Sequence, residues 1–576
     1  MHVSNVLKVR ARSLRPRFCS EISNRNKGKG KSDMADRADP EMPAHTFRYR
    51  TTSGALTTSP GCEPETMEKE KSTAAHGGGG KRWLPRVLLL AALSFTPWLL
   101  IVYCHRSVFD APPVGSPRPP SDGAQLSFHS AQEAQLKMLP TTSARALSVA
   151  AARGSHSHRR GDPGGVDPCR GRYLYIHDLP PRFNADVLAD CRNWYQWIDM
   201  CQYLANAGLG APIDNSDGAF ADRGWYATDH FGLDVIFHAR VRQYACLTND
   251  SARAAAFFVP YYAGFDVVRH LWSNNATAKD AGPLALADWL TQRPEWRAMG
   301  GRDHFVLSGR TAWDHQRQTD SDSEWGNKLL RLPAVRNMTV LFVEKAPWTD
   351  FDFAVPYPTY FHPAKDSDVL QWQDRMRGMK RDWLFAFAGG ERPGDPNSIR
   401  HHLIRECNGS ASCNLVQCRK GEKRCLVPST FMRMFQTARF CLQPPGDTYT
   451  RRSAFDAILA GCVPVFFHQD SAYRQYRWHL PDDRAAYSVF ISEEAVRNGN
   501  ASGSVEETLR RIPQRVAERM TETIIGLIPK LVYADPRSKL ETLKDAVDVT
   551  LDAVINRASK IRKEMAVGHG AQSYAA

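Results

Sequence analysis

The segment Phe440–Phe467, FCLQPPGDTYTRRSAFDAILAGCVPVFF, decides the fold of this chain. Two short apolar runs flank an amphipathic stretch, and Pro444 to Gly446 and Gly461 separate them. Such a strand-helix-strand unit is typical of a parallel sheet covered by helices. We predict a strand over 440–443, a loop over 444–450, a helix over 451–460, a turn at 461 and a strand over 463–467.

The loop of this unit has the chemistry of an anion site. Thr450 is a predicted N-cap, so the free amides of the first helical turn would face the loop. Open α/β sheets bind nucleotides at such strand ends. Asp456, one turn into the helix, would accept hydrogen bonds from a ribose. We therefore predict a nucleotide-binding site with these members: Gly446, Arg451, Arg452, Ser453 and Asp456.

The alternative is purely structural. Pro444, Pro445 and Gly446 would then form only a tight turn, and Arg452 would pair with Asp456 four residues later on the helix.

A second loop of similar design follows the run WLFAFAGG at 383–390. Gly389 and Gly390 would allow close backbone approach, Asp395 would cap a helix that begins at Pro396, and Arg400 would project from its first turns. Two such loops would clamp a diphosphate between them. Many strand-to-helix turns use glycine for geometry alone, which is the alternative here.

Seven apolar runs after Cys169 predict buried parallel strands, and helical stretches lie between them, such as Leu284–Thr291 and Ile399–Cys407. This alternation predicts doubly wound α/β domains. The predicted strands are Arg172–Ile176, Ala255–Val259, His304–Leu307, Thr339–Val343, Trp383–Ala388, Arg439–Gln443 and Val463–Phe467.

The N-terminal part of the 576-residue chain has a different composition. Residues 83–104 form an uncharged apolar segment of about membrane thickness, and we predict an uncleaved transmembrane signal anchor. Positive charge before it places residues 1–82 in the cytosol as a disordered tail. Residues 105–166, rich in Pro, Ser, Ala and Gly, predict a flexible lumenal stem. Met67 would give the short cytosolic tail expected of such a protein.

Sequons and cysteines beyond the anchor favour a lumenal location. Ten of the 13 cysteines lie there, an even number that predicts disulfides, with a zinc site at Cys407–Cys425 as the less favoured alternative. The spacing does not determine the pairing. The five predicted glycosylation sites are Asn249, Asn275, Asn337, Asn408 and Asn500.

The net charge of +14 does not indicate a nucleic-acid partner. Many basic residues fall in the predicted N-terminal tail, and no aromatic nucleic-acid motif accompanies them.

Several motifs in order resemble the plant exostosin-like glycosyltransferases of family 47, and within it most closely the xyloglucan galactosyltransferases. The similarity runs from about Cys169 to Ile491. The motifs are RYLYIHDLPPRFN at 172–184, GWYATDHFGLDVIFHARVRQYACLTND at 224–250, VPYYAGFD at 259–266 and GDTYTRRSAFDAILAGCVPVFF at 446–467. The sequence departs from the family pattern at His177, where tyrosine is common, and at His230, where close relatives tend to carry glutamine. Both would lie near the acceptor.

The resemblance implies a GT-B fold with two Rossmann-like domains facing across a cleft, an acceptor-side domain over 167–372 and a nucleotide-sugar domain over 373–545. A C-terminal helix and tail would follow over 546–576. The resemblance further implies a single-pass type II protein of the Golgi membrane. The protein would transfer galactose from UDP-galactose, with inversion, onto xylose branches of xyloglucan. No cofactor and no catalytic metal are expected, and other Golgi glycosyltransferases are possible partners.

Inverting transfer needs a base for the acceptor hydroxyl and cations for the departing diphosphate. The first domain offers Asp178, Asp229, His230, Asp266, Asp303, His304 and Asp314 as bases, and no spacing singles one out. We predict Asp266 and Asp314 as the catalytic residues because they follow predicted strand ends; the alternative is that each is only a turn or cap residue. Aspartate pairs at 320/322, 350/352 and 366/368 do not end an apolar strand, so no metal site is predicted. Most tryptophans of a fold are core residues, so we expect only a minority of these candidates to stack on sugar rings: Trp194, Trp197, Trp225, Trp313, Trp325 and Trp348.

Two other classes of function compete with this reading. A non-catalytic glycan-binding homologue would keep the fold without turnover, and a glycoside hydrolase would need two carboxylates across a cleft. Within the transferases, galacturonate and arabinose are alternative donor sugars.

Overall fold

The computed structural model describes residues 167–573 apart from 196–197, 216, 393–394, 396, 420–424, 426 and 500–503. The predicted tail, anchor and stem lie outside this part of the chain. Within it, the chain has no helix both long and apolar enough to span a membrane.

Five parallel strands form the first sheet, whose order β1-β2-β3-β4-β5 follows the chain. We call the part of the molecule around this sheet the first lobe. Its strands are β1 (Tyr173–Ile176), β2 (Ala254–Val259), β3 (His304–Thr311), β4 (Thr339–Glu344) and β5 (Asp352–Ala354).

The second sheet is also parallel, but its order, β10-β9-β8-β6-β7, does not follow the chain. From β6 the chain first adds β7 on one side and then returns to add β8 on the other, which makes the carboxyl ends of β6 and β8 a topological switch point. We call the part around this sheet the second lobe. Its strands are β6 (Trp383–Gly389), β7 (Cys413–Gln417), β8 (Ala438–Gln443), β9 (Val463–Phe466) and β10 (Val489–Phe490).

Helices connect the strands and cover the sheets. Those up to the end of the first sheet are Ala185–Ala189, Ala205–Gly208, Leu233–Val241, Ala263–His270, Ala276–Thr291, Pro294–Met299 and Pro333–Asn337. Those that follow are Asp366–Arg377, Ile399–Gly409, Pro428–Gln436, Arg452–Leu459, Glu493–Asn498, Val505–Arg510, Gln514–Leu531 and Ala546–Ser573.

All seven predicted strands are confirmed, as are the two helices predicted by name. Three strands were missed: β5, β7 and β10. Each is short, and β5 and β7 carry polar residues such as Asp352 and Asn414 that hide them from a search for apolar runs.

Both predicted helix caps are wrong. The helix after β8 begins at Arg452, and Thr450 instead donates its backbone N–H and its hydroxyl to Glu344, at 3.0 and 2.6 Å. The helix after β6 begins at Ile399, not next to Asp395, whose carboxylate accepts a local backbone hydrogen bond of 3.2 Å from Asn397. Thr450 was misread because its partner lies in the other lobe.

The C-terminal helix Ala546–Ser573 packs on β2 of the first lobe. Asp545, immediately before it, accepts from buried Arg240 at 2.8 Å, and Asp552 pairs with Arg172 at 2.6 Å. The chain thus crosses to the second lobe and returns. The predicted domain border at 372/373 falls inside the helix Asp366–Arg377.

The prediction of disulfides among the ten cysteines is confirmed, and the zinc alternative at Cys407–Cys425 is wrong. The pairs are Cys169–Cys246, Cys191–Cys201, Cys407–Cys413, Cys418–Cys425 and Cys441–Cys462.

Candidate active site

The two loops singled out in the sequence leave β6 and β8, so they flank the switch point of the second sheet. The loop after β8, which we call the donor loop (444–451), also contacts the first lobe. Glu344, the last residue of β4, accepts from the hydroxyls of Thr448 and Thr450, each at 2.6 Å, and from the backbone of Tyr449 at 3.3 Å. The carboxyl end of β4 therefore contacts the donor loop at the switch point directly.

Glu344 is a buried carboxylate, 5% exposed. Burial raises the pKa of Glu344, and the hydrogen bonds from the donor loop oppose this rise. Because several donors of one loop converge on it, this side chain fixes the donor loop relative to the first lobe.

Three arginines gather at the switch point. Desolvation lowers the pKa of Arg400 to about 9, and the neighbouring charges of Arg451 and Arg392 lower it further. Desolvation also lowers the pKa of Arg451 and of Arg392. Nε of Arg400 and Nε of Arg451 are buried without a hydrogen-bond partner among the described residues. Buried cations without partners are costly, and an anion bound between them would satisfy their N–H groups.

Arg452 lies between the lobes. Its Nη1 donates to the carbonyl oxygen of Thr228 in the first lobe at 2.8 Å, and its guanidinium lies 3.4 Å from the centre of the Tyr360 ring. The structural alternative is partly correct, because Nε lies 3.5 Å from Asp456. Even so, Nε and Nη2 have no hydrogen-bond partner in the described chain.

Asp456 shares this environment. Desolvation raises its pKa to about 6, while Arg452 opposes the rise. Its Oδ1 is buried without a hydrogen-bond donor from the described residues, so it has room to accept one from a ligand hydroxyl.

The remaining predicted donor-site residues shape the loops. A Cβ at Gly446 would occupy the space filled by the Arg451 guanidinium, so this glycine lets the arginine lie against the loop backbone. A Cβ at Gly390 would lie 2.5 Å from the carbonyl oxygen of Cys418, and one at Gly389 would lie 2.8 Å from the Phe387 ring. These two glycines are required for packing, which supports the structural reading of that pair.

Ser453 orients a residue that the sequence did not single out. Its hydroxyl donates to Oε1 of Gln443 at 2.6 Å, and Nε2 of Gln443 remains buried without an acceptor in the described part of the chain. Gln443 is the last residue of β8, and this position at a strand end was the available signal. Glu344 and Tyr360 were also missed, because their partners are distant in sequence.

The two predicted catalytic residues lie elsewhere. Asp266 is 7% exposed and accepts from the Tyr261 hydroxyl at 2.5 Å, and burial raises its pKa. Asp314 is 4% exposed and accepts from Arg310 at 2.6 Å and from Trp325 at 2.7 Å. These donors orient both carboxylates within the first lobe, and a catalytic role for either residue stays a prediction.

Asp229 and His230 border the cleft instead, next to the Thr228 carbonyl that binds Arg452. The Asp229 side chain is 20% exposed, and its Oδ1 accepts from the backbone of Phe231 at 2.8 Å. Desolvation by the surrounding protein lowers the pKa of His230 to about 4; Asp229 opposes this, and Arg452 adds to it.

The expectation that His177 lies near the acceptor is wrong. His177 is 4% exposed and stacks on His304, at 5.1 Å between ring centres, beneath Trp289. Desolvation lowers its pKa to about 3.

Most of the candidate tryptophans within the described residues are buried or half-buried, as expected of core residues. Trp194 and Trp225 are buried, whereas Trp348 is 58% exposed and Trp325 half-buried; Trp197 lies outside the described residues. Four sequon asparagines are exposed, Asn249, Asn275, Asn337 and Asn408; Asn500 also lies outside. The described residues contain no group of three or more His, Cys, Asp or Glu side chains placed to hold a metal ion.

The comparisons with known proteins agree with the motifs. The Exostosin GT47 domain matches residues 168–508. Xyloglucan galactosyltransferase MUR3 of Arabidopsis thaliana is 55% identical over 408 residues, which are 71% of this chain and 66% of that protein. Probable xyloglucan galactosyltransferase GT12 of the same plant is 44% identical over 71% of this chain and 81% of its own length.

Among solved structures, the spinosyn rhamnosyltransferase SpnG complexed with thymidine diphosphate aligns over 66% of this chain and 99% of its own length. The sequence identity is 11% and the TM-score is 0.27. The family domain by itself covers more than half of the chain. The protein therefore belongs to the exostosin GT47 family.

Proposed function

We propose that this protein is a xyloglucan galactosyltransferase that transfers galactose from UDP-galactose, with inversion, onto xylose branches of xyloglucan. Its family and the activities of its relatives support the reaction. The observation that carries the proposal is the set of buried arginine N–H groups without partners at the switch point of the second sheet. The GT-B arrangement belongs to the same proposal, supported by two parallel sheets whose carboxyl ends meet at a cleft.

In this proposal Arg400 and Arg451 hold the diphosphate, and Asp456 accepts a hydrogen bond from the ribose. The acceptor oxygen forms the new bond to C1 of galactose as the bond from C1 to the diphosphate breaks, and the electron pair leaves with UDP. The arginines stabilise the charge that develops on the departing diphosphate.

The proton of the acceptor hydroxyl goes to a base, and we propose Asp229 for this role. Its Oδ2 is the freer of the two oxygens, 4.0 Å from Nδ1 of His230, and the residue follows the Thr228 carbonyl that contacts Arg452. A carboxylate beside the donor site and on the acceptor side has the position that an inverting base requires.

We also propose a Golgi location, with the first 82 residues cytosolic and the folded part lumenal. Five disulfides support an oxidising compartment. Transfer is proposed to need neither metal nor cofactor. Activity unchanged in excess EDTA would agree with this, and activity restored only by an added divalent cation would contradict it.

The test uses the full chain in detergent micelles, labelled UDP-galactose and xyloglucan stripped of galactose. We expect label in the polymer that a β-galactosidase releases. Parallel assays with UDP-galacturonate and UDP-arabinose test the alternative donors. Binding of UDP-sugars without transfer of any of the three sugars would contradict the proposal and favour a non-catalytic glycan-binding protein.

A further inference from the structure

Three aromatic side chains meet on the surface of the first lobe. Trp272 is 43% exposed, and Tyr195 and Trp325 are half-buried beside it. Ring centres lie 5.2 Å apart between Tyr195 and Trp272 and 5.8 Å apart between Trp272 and Trp325. We call these three residues the aromatic platform.

Buried charges hold the platform in place. Oδ1 of Asp314 accepts from Nε1 of Trp325 at 2.7 Å, and Oδ2 accepts from Nε of Arg310 at 2.6 Å. Nη1 of Arg310 in turn donates to the Tyr195 hydroxyl at 3.0 Å. The buried ion pair Arg310–Asp314 therefore orients two of the three rings. Fixed rings favour binding of a ligand that stacks on their faces.

The same ion pair connects the platform to the cleft. The Arg310 guanidinium lies 4.3 Å from the centre of the Phe231 ring, whose own centre lies 4.0 Å from that of His230. His230 lies two residues after Thr228, whose carbonyl oxygen accepts from Arg452 of the donor site at 2.8 Å. An extended molecule reaching from the donor site along the first lobe would thus pass His230 and then the platform.

We propose that the aromatic platform is a subsite for the sugar backbone of the acceptor, a neutral chain of pyranose rings. This inference rests on the proposed function. Pyranose rings present apolar C–H faces, and tryptophan and tyrosine combine a large apolar face with a polar group at the edge, so they suit such a ligand. Asp314 is then a positioning residue that acts through Trp325 and Arg310, not a catalytic base.

The first experiment compares Trp272→Ala with the native chain on two acceptors, galactose-free xyloglucan and a xylosyl-glucose disaccharide that lacks the extended sugar backbone. We expect KM for the polymer to rise about tenfold. This factor corresponds to the loss of about 1.4 kcal/mol of binding free energy. The kcat, the KM for UDP-galactose and transfer to the disaccharide should change less than about twofold. Trp383→Ala removes a tryptophan that is 36% exposed at the start of β6 and is the matched control.

The second experiment asks whether Asp314 acts through the platform. For Asp314→Asn we expect the same rise in KM for the polymer with an unchanged dependence of kcat on pH. Loss of kcat on both acceptors, or loss of the acid limb of the pH profile, would overturn the positioning role. An unchanged KM for the polymer in Trp272→Ala would overturn the subsite, whereas failure of the native chain to transfer galactose at all would overturn the proposed function.

Discussion

Buried carboxylates of the first lobe and the arginines of the donor site in the second lobe differ in whether their hydrogen bonds are satisfied. In the first lobe, Asp234 accepts from two backbone amides at 3.0 and 2.8 Å, and Asp266 and Asp314 accept from side-chain donors. In the second lobe, Arg451 and Arg452 keep buried N–H groups without partners in the described chain. A satisfied buried charge is part of the scaffold, whereas an unsatisfied one is tolerated where a ligand completes it. This difference, more than residue type or strand-end position, separates binding residues from structural ones.

We expect the largest effect from a change at Arg452, whose buried N–H groups have no partner among the described residues. We expect Arg452→Ala to lower kcat/KM by about 10³-fold, because it removes a cation that supports the donor site and its contact with the Thr228 carbonyl. Initial rates of galactose transfer measure the effect. Arg439→Ala, which removes an exposed arginine from β8, is the control and should leave the rate unchanged.

Thermal unfolding of both variants shows whether Arg452→Ala still folds. A folded Arg452→Ala protein with near-normal transfer would refute the role of this residue and would favour the simple helix ion pair.

A smaller effect is expected from Glu344→Gln. The threonine hydroxyls can reorient toward an amide, but the backbone N–H groups of Thr450 and Tyr449 would lose a carboxylate acceptor. A lost hydrogen bond to a charged group costs about 1.5–3 kcal/mol, so kcat/KM should fall by about 10- to 100-fold, mainly through KM for UDP-galactose. Glu295→Gln, a change at a half-buried position of the same lobe, is the control. A native KM in Glu344→Gln would show that the donor loop holds its position without the first lobe.

The next effect concerns the pH dependence of Asp456, whose pKa is raised to about 6. Protonation turns one carboxylate oxygen into a donor and removes the charge that strengthens hydrogen bonds from the ribose, so the affinity for UDP-galactose should fall about tenfold from pH 7 to pH 5. Calorimetric titration measures this fall, and the Asp456→Asn protein should bind weakly with a flat profile over the same range. An equally steep fall in that variant would assign the titration to another group.

The same shift affects folding, and its sign is opposite to that of binding. Between pH about 4 and about 6 the folded protein holds a proton that the unfolded chain has released. The free energy of unfolding of the ligand-free protein should therefore decrease as pH rises through this window. In Asp456→Asn this decrease should be smaller.

We expect the smallest effect on activity from a change at Asp266, a buried carboxylate that already accepts a hydrogen bond from Tyr261. Asp266→Asn keeps the shape of the side chain but weakens the bond from the Tyr261 hydroxyl, so stability should fall by about 1–3 kcal/mol. Transfer per folded molecule should change less than about threefold. The exposed change Asp178→Asn should alter neither quantity. A loss of turnover in Asp266→Asn without loss of stability would show that Asp266 takes part in the reaction and is not only structural.

Local patterns were sufficient for much of the fold. The apolar runs predicted seven strands, and the segment Phe440–Phe467 predicted one complete strand-helix-strand unit with helix ends within one residue of those observed. The prediction that Arg451 and Arg452 follow the carboxyl end of β8 is confirmed. Helix and strand periodicity depend on near neighbours, so the sequence alone was sufficient here.

Contacts between lobes could not be read in this way. Thr450 resembles an N-cap, yet its hydroxyl binds Glu344, more than one hundred residues earlier. Asp314 follows a strand end as catalytic groups often do, but Arg310 and Trp325 occupy its oxygens. For Thr450 a partner in the other lobe outweighs the local preference, whereas for Asp314 two donors of its own lobe, four and eleven residues away, do so.

The return of the last helix to the first lobe sets an order for folding during synthesis. Arg240, 4% exposed, has its buried partner in Asp545, which leaves the ribosome some three hundred residues later. Until then the first lobe carries an unmatched buried cation and lacks the helix that covers β2. The lobe made first is thus completed last, and a chain that ends before Asp545 should be retained by chaperones rather than released from them as a folded protein.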